Sequence, residues 1–478
     1  MAAIETPAQT PADSSYALGF SSLEEEIALD DLPVQGQLPA WLSGRLIRVT
    51  PALLEIGGKT LEHWFDGLAM LNAFSFADGR VSYANRFLET EAYRKAREGE
   101  VGFVSFAADP CRSLFKRVTA LFEETVNDNA NVNVIRLGEQ YRALTEVPLP
   151  VEFDPETLET VGLAKFKDRV GGHLSTAHPH YDFERDELVN YVSHFSARSS
   201  YRVFALAPGS RTRKRIASIP VSEPGYMHSF GMSGRYVVLA EYPFVVNPLR
   251  LVVSGRALID NYRWCPERGT RFIVIDRIEG KLRGVYETEA FFCFHHVNAF
   301  ERGDELVVDL IANPDPSGIN TTRIEWLRDP SRPQVFGQMR RFRIALKTGV
   351  VRSEPLADVE MELPRIDYRR FNSREHRYVY AASARGRQSH WFDQLVKVDV
   401  QIGDALRWAQ DGCYPGEPVF VRTPDGDAED DGLLLSVVLD VSAGRSFLLV
   451  LDARSLEELA RAAVPHHIPF GFHGDYFD

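Results

Sequence analysis

The chain has 478 residues, 44% of them hydrophobic, enough apolar material for a large buried core. Lys and Arg number 54 against 67 Asp and Glu, a net charge of −13 with no basic block, which makes nucleic acid a poor partner because phosphate binding needs a positive footprint. Cys111, Cys265, Cys293 and Cys413 stand far apart with no Cys-x-x-Cys, which argues against a zinc knuckle, a thioredoxin-type motif or a disulfide framework and suits a reduced cytoplasmic setting.

Residues 1–20 are rich in Ala, Pro, Thr and Ser. They lack the basic and then apolar regions of a secretory signal and are expected to form a disordered tail. No run reaches 18 apolar residues, so no segment is expected to span a membrane. From about residue 34 the chain reads as many short strands broken by turn residues: Arg45–Val49, Met70–Phe76, Val81–Arg86, Tyr236–Glu241, Arg271–Asp276, Leu306–Ile311, Leu433–Asp440 and Phe447–Leu451. Each is rich in β-branched or aromatic residues and stops near Gly, Asp, Asn or Pro. The fold class is therefore all-β, a large barrel, sandwich or propeller.

Helical signals are few. Pro110–Glu124 follows the capping residue Asp109, and Leu114, Phe115, Val118, Leu121 and Phe122 recur at helical spacing. Phe244–Ile259 reads as a helical or irregular apolar stretch, and Ser455–Ala463 as a short surface helix. No Gly-rich phosphate loop or nucleophile elbow occurs; Gly231-Met-Ser-Gly lacks the elbow's spacing, which removes the usual nucleotide and serine-hydrolase readings.

Of 13 histidines, His178, His228, His295 and His473 share one setting, short segments dense in Phe, Tyr, Pro, Gly and Ser. They are 50, 67 and 178 residues apart. That is not the spacing of a helix-borne metal site, but several strands of a closed β fold could each send one ligand to a central axis. A lone His in a strand is most often a hydrogen-bonded core or surface residue, so spacing by itself does not make these four ligands.

The segments HWFDG, TAHPHYD, YMHSFG, FHHVNAFE, LPRIDY, YPGEPVFV, EDDGLLLSVV and FHG resemble those of the carotenoid cleavage oxygenases. They stand in the family's order and cover the chain from about residue 34 to its end. They are similar to the branch of carotene-cleaving enzymes and the retinal pigment epithelium isomerase. The resemblance implies a seven-bladed β-propeller with a helical cap over one face, formed as a single domain over residues 21–478 with cap segments near 103–124 and 244–262. It implies one Fe(2+) per subunit on His178, His228, His295 and His473, with His180 and His296 as neighbours. It places Glu146, Glu362 and Glu417 behind His228, His295 and His473, and leaves His178 without a carboxylate.

The chemistry suits those residue types. Imidazole is a good ligand for ferrous iron, and metal-bound His usually donates its other N–H to a carboxylate or carbonyl. Four neutral ligands leave the full charge on the ion and two octahedral positions open for O2 and water. The implied activity is a dioxygenase that cleaves a C=C bond of a carotenoid or apocarotenoid to aldehydes such as retinal, with O2 as co-substrate.

The partner is then an apolar polyene, with no protein partner expected. Peripheral membrane contact is expected around a tunnel mouth that includes Phe103, Phe106, Leu114, Phe115 and Val118, together with the 244–259 stretch. The alternative, cleavage of a stilbene or phenylpropene, is disfavoured by Thr145, where those relatives carry Lys before the first Glu, and by the lack of Tyr in Val104–Pro110.

Overall fold

A computed structural model describes residues 15–101, 127–254, 256–386 and 389–478. They are mostly β-structure: six sheets of four to seven strands and two short hairpins, with a few short helices among the described residues. Most neighbouring strands in a sheet are also consecutive in the chain, as antiparallel meanders require, since a tight turn suffices to join them.

Each expected strand is present, and all but Tyr236–Glu241 are one to five residues longer. Arg45–Val49 lies within Gly44–Leu53, Met70–Phe76 within Leu68–Ala77, and Leu306–Ile311 within Glu305–Ala312. The first five-stranded sheet is closed by the chain's last strand, Gly474–Phe477, which pairs antiparallel with Gly44–Leu53 so that Arg48 faces Gly474. This stitch brings residues from opposite ends of the chain beside one another.

The longest strand, Val351–Arg365, lies in a seven-stranded sheet between Gly337–Ala345 and Tyr378–Ser383. Its register slips between Glu362 and Arg365, and Leu363 there has φ +56°. Such an irregularity re-aims a side chain, here that of Glu362.

The largest apolar cluster packs Tyr191, Phe230, Tyr242, Phe272 and Phe292 between sheets, all at 2% exposure or less. Each such ring contributes about 1.5–3 kcal/mol by leaving water.

Four expectations meet a different outcome or fall outside the described residues. Residues 1–14 and the segment 102–126, with Cys111, Phe103, Phe106, Leu114, Phe115 and Val118, lie outside them. The end of the expected tail is ordered: Tyr16–Phe20 is a 3-10 helix capped by Ser15, with Tyr16 and Phe20 buried, because Phe20 packs edge-on against Trp64, Trp391 and Phe470.

Ser455–Ala463 is not a helix. Glu458–Ala463 is a strand between Arg445–Asp452 and Val34–Gly36, and Ala460 and Ala462 each have 1% exposure. Two ready partner strands and a period-2 burial outweigh the helical preference of Leu, Glu and Ala. The 244–262 stretch is a hairpin, Phe244–Val246 with Tyr262–Trp264, carrying a short helix Pro248–Val253 capped by Asn247.

Candidate metal centre

Four strand starts converge on one point. His295 immediately precedes the strand His296–Arg302, and His473 immediately precedes Gly474–Phe477. His228 lies just ahead of Gly231–Met232 and His178 just ahead of His180–Asp182. The backbone there is pinned. His178 N–H donates to Thr176 Oγ1 at 2.9 Å, and the Thr176 hydroxyl donates to the His228 carbonyl. His473 N–H donates to the Val132 carbonyl at 3.2 Å, and its own carbonyl accepts from Val49 at 3.2 Å.

One ring nitrogen from each histidine lies within 4.8 Å of the other three. The Nε2 atoms of His178 and His228 are 3.0 Å apart, and those of His295 and His473 are 3.1 Å apart. Behind three of the rings stand carboxylates. His228 Nδ1 is 2.7 Å from Glu146 Oε1, His295 Nδ1 is 2.6 Å from Glu362 Oε2, and His473 Nδ1 is 2.8 Å from Glu417 Oε1. Among the described residues His178 has no such carboxylate.

These contacts set the tautomers. A carboxylate only accepts hydrogen bonds, so each of the three Nδ1 atoms carries the proton and donates it. In a neutral ring each Nε2 is then a bare lone pair. His295 and His473 therefore turn two lone pairs toward each other at 3.1 Å, a repulsive contact unless a cation lies between them.

For an ion bonded to imidazole at about 2.0–2.1 Å, ligands at right angles stand roughly 3.0 Å apart, close to the spacing of both Nε2 pairs. Burial, and then the neighbouring histidines, hold His178 and His473 well below the ordinary imidazole range, so both stay neutral and able to ligate. The donor set fits a divalent first-row metal.

The remaining sequence candidates fall nearby without joining the cluster. His180 bridges the Tyr368 hydroxyl at 3.0 Å and the Phe230 carbonyl at 2.9 Å, and burial pushes it down to about 4. His296 Nδ1 meets Ser229 Oγ at 2.8 Å, and burial pushes it down to about 3. Thr145, the residue before Glu146, stays half-buried.

The sequence reading did not single out Tyr226, whose hydroxyl reaches both oxygens of Glu146 at 2.9 and 3.0 Å. It also left the aromatic wall open. Phe294 stands 5.5 Å from the His228 ring, and Phe65 lies between Phe294 at 6.3 Å and Phe472 at 5.2 Å. Their signal was adjacency: Phe294 and Phe472 directly precede His295 and His473, and Phe65 lies in HWFDG.

The family model described as retinal pigment epithelial membrane protein matches residues 20–478. A mitochondrial carotenoid-cleaving dioxygenase from Mustela putorius furo is 32% identical, covering 96% of this chain and 95% of that protein. A carotenoid isomerooxygenase from Galleria mellonella is 34% identical, covering 95% and 94%. A crystal structure of cobalt-substituted Synechocystis apocarotenoid oxygenase superposes with a TM-score of 0.83 at 27% identity, covering 98% of this chain and 99% of that one.

Proposed function

The chain belongs to the carotenoid cleavage oxygenase family, and from that premise we propose that it is an Fe(II)-dependent dioxygenase. It cleaves one C=C bond of a carotenoid or apocarotenoid with O2 to give two aldehydes. The observation that carries this reading is the convergence of four imidazoles, three of them with Nε2 lone pairs turned inward by Glu146, Glu362 and Glu417.

A ferrous ion bound there would supply the binding and activation of O2. His178, His228, His295 and His473 hold it, and the three glutamates fix the ring orientations. Phe65, Phe294 and Phe472 offer an apolar wall beside the histidines. Such a wall holds a polyene against the centre and keeps water from it. The two oxygen atoms end one on each half of the broken double bond. The four electrons that reduce O2 come from that bond, so no external reductant is needed.

The scaffold of this reading is a single seven-bladed β-propeller over residues 21–478. The six sheets supply seven blades if the seven-stranded sheet is two blades sharing Val351–Arg365, the strand with two register slips. Peripheral membrane contact belongs to the same reading. It is supported by Leu249, 69% exposed beside Arg250 on the short helix Pro248–Val253. No helix among the described residues is long and apolar enough to cross a membrane.

The test is anaerobic loading with Fe(II), then incubation with β-carotene and, separately, an apocarotenal under 18O2, with products identified by mass spectrometry. Two carbonyl products that each carry one 18O are expected. Turnover of vinylguaiacol or resveratrol in place of either polyene would move the chain to the phenylpropanoid cleavers. Isomerised retinol released from a retinyl ester without 18O would make it an isomerohydrolase.

A further inference from the structure

The three glutamates behind the histidines differ in what stands behind them. Glu146 accepts the Tyr226 hydroxyl. Glu362 accepts the Leu363 N–H at 3.1 Å, and its Oε1 has no partner among the described residues. Glu417 faces two guanidinium groups: Arg48 Nη1 lies 3.5 Å from its Oε2, and Arg365 Nη1 lies 3.7 Å from its Oε1. Among the described residues neither Glu146 nor Glu362 has an Arg or Lys at ion-pair distance.

Arg48 is the more committed of the two cations. It is 2% exposed, whereas Arg365 also pairs with Asp475 at 2.9 Å. Arg48 donates from Nη1 to the Glu417 carbonyl at 3.2 Å and from Nη2 to the Phe472 carbonyl at 3.3 Å. One side chain thus grips the backbone of Glu417, its carboxylate, and the residue next to His473.

The effect on His473 follows from charge. A carboxylate that accepts an Nδ1–H pushes electron density onto the imidazole and makes its Nε2 a stronger donor. A guanidinium behind that carboxylate pulls the density back.

We infer that Arg48 is a positioning residue for the metal centre: it locks the Glu417–His473 arm in place and makes His473 the weakest electron donor of the three glutamate-backed histidines. This rests on the proposal that the four histidines bind the metal.

The test titrates Co(II) into metal-free wild-type protein, R48K and R48M, and follows affinity, the Co(II) d–d absorption and Tm. A further variant, R213M, removes the cation of the buried Arg213–Asp168 pair and controls for general loss of stability. R48M is expected to bind Co(II) 10- to 100-fold more weakly, with its d–d band moved to higher energy as His473 donates more strongly. R48K, which keeps the charge but not the forked geometry, is expected to return the band while leaving the affinity low. R213M is expected to lower Tm with wild-type band and affinity.

Wild-type affinity and band in R48M overturn the inference, as does an equal loss in R213M. If R48M does not fold, R48K decides by its affinity: a wild-type value overturns the role. A wild-type protein that takes up no Co(II) instead overturns the four-histidine metal reading, and the role of Arg48 with it.

Discussion

Gly474 and Arg48 interlock: a Cβ on Gly474 would come within 2.4 Å of Arg48 Cγ and 2.7 Å of the Ile47 carbonyl oxygen. The two residues face each other across paired strands, and the Gly474 N–H donates to Glu417 Oε2 at 3.0 Å. The glycine after His473 is thus needed for close approach. Gly474→Ala is expected to cost about 1–3 kcal/mol as overpacking and to lower metal content. Denaturant unfolding and metal analysis check both; a variant with wild-type stability and full metal would show that the interlock is slack.

The two adjacent histidines of FHHVN separate by role. His295 faces the cluster and Glu362, while His296 pairs with Ser229. His295→Ala is expected to abolish stoichiometric Fe(II) binding, and His296→Ala to keep it. Elemental analysis after anaerobic loading decides, and the reverse pattern would reassign the ligand.

Tyr226 holds Glu146 in place behind His228. Tyr226→Phe keeps the ring and removes only the hydroxyl, so about tenfold weaker metal affinity is expected with little change in Tm. Unchanged affinity would mean that Glu146 is fixed without it.

Phe294 stands against the His228 ring. Phe294→Ala is expected to lower kcat/KM for a polyene at least tenfold while metal content stays at one per chain. Equal turnover at equal metal content would remove Phe294 from the substrate wall.

His63 links stability to pH. It is wholly buried, its Nε2–H donates to the Ile319 carbonyl at 2.9 Å, and its Nδ1 accepts the Phe65 N–H at 3.2 Å. Burial pushes it down to about 3 from 6.5, so the unfolded chain takes up a proton that the folded chain refuses. Its contribution is complete above pH 6.5 and is lost as pH falls toward about 3, by up to about 1.4 kcal/mol per pH unit. Urea unfolding from pH 7 to 4 is expected to show a shallower decline for His63→Gln than for wild type, and parallel declines would refute the assignment.

Much of the fold was legible because strands and turns are local. Alternating or continuous runs such as Tyr236–Glu241 and Leu433–Asp440 carry their own period and boundaries, and both became strands. Glu458–Ala463 was not legible, since its composition favours a helix and only two waiting strands make it β. Phe20 likewise reads as part of a polar tail until Trp64, Trp391 and Phe470 surround it.

By itself the sequence determined a set of co-linear motifs whose resemblance to a family implies which four histidines and three glutamates meet at a centre, residues spaced too widely for any local element. Only the tertiary structure decided that four strand starts bring the imidazole nitrogens within 4.8 Å of one another, and that Arg48 stands behind Glu417 alone among the three carboxylates. The reason is physical: Arg48 and Glu417 are 369 residues apart, and no local propensity or period records a contact between residues so far apart in the chain.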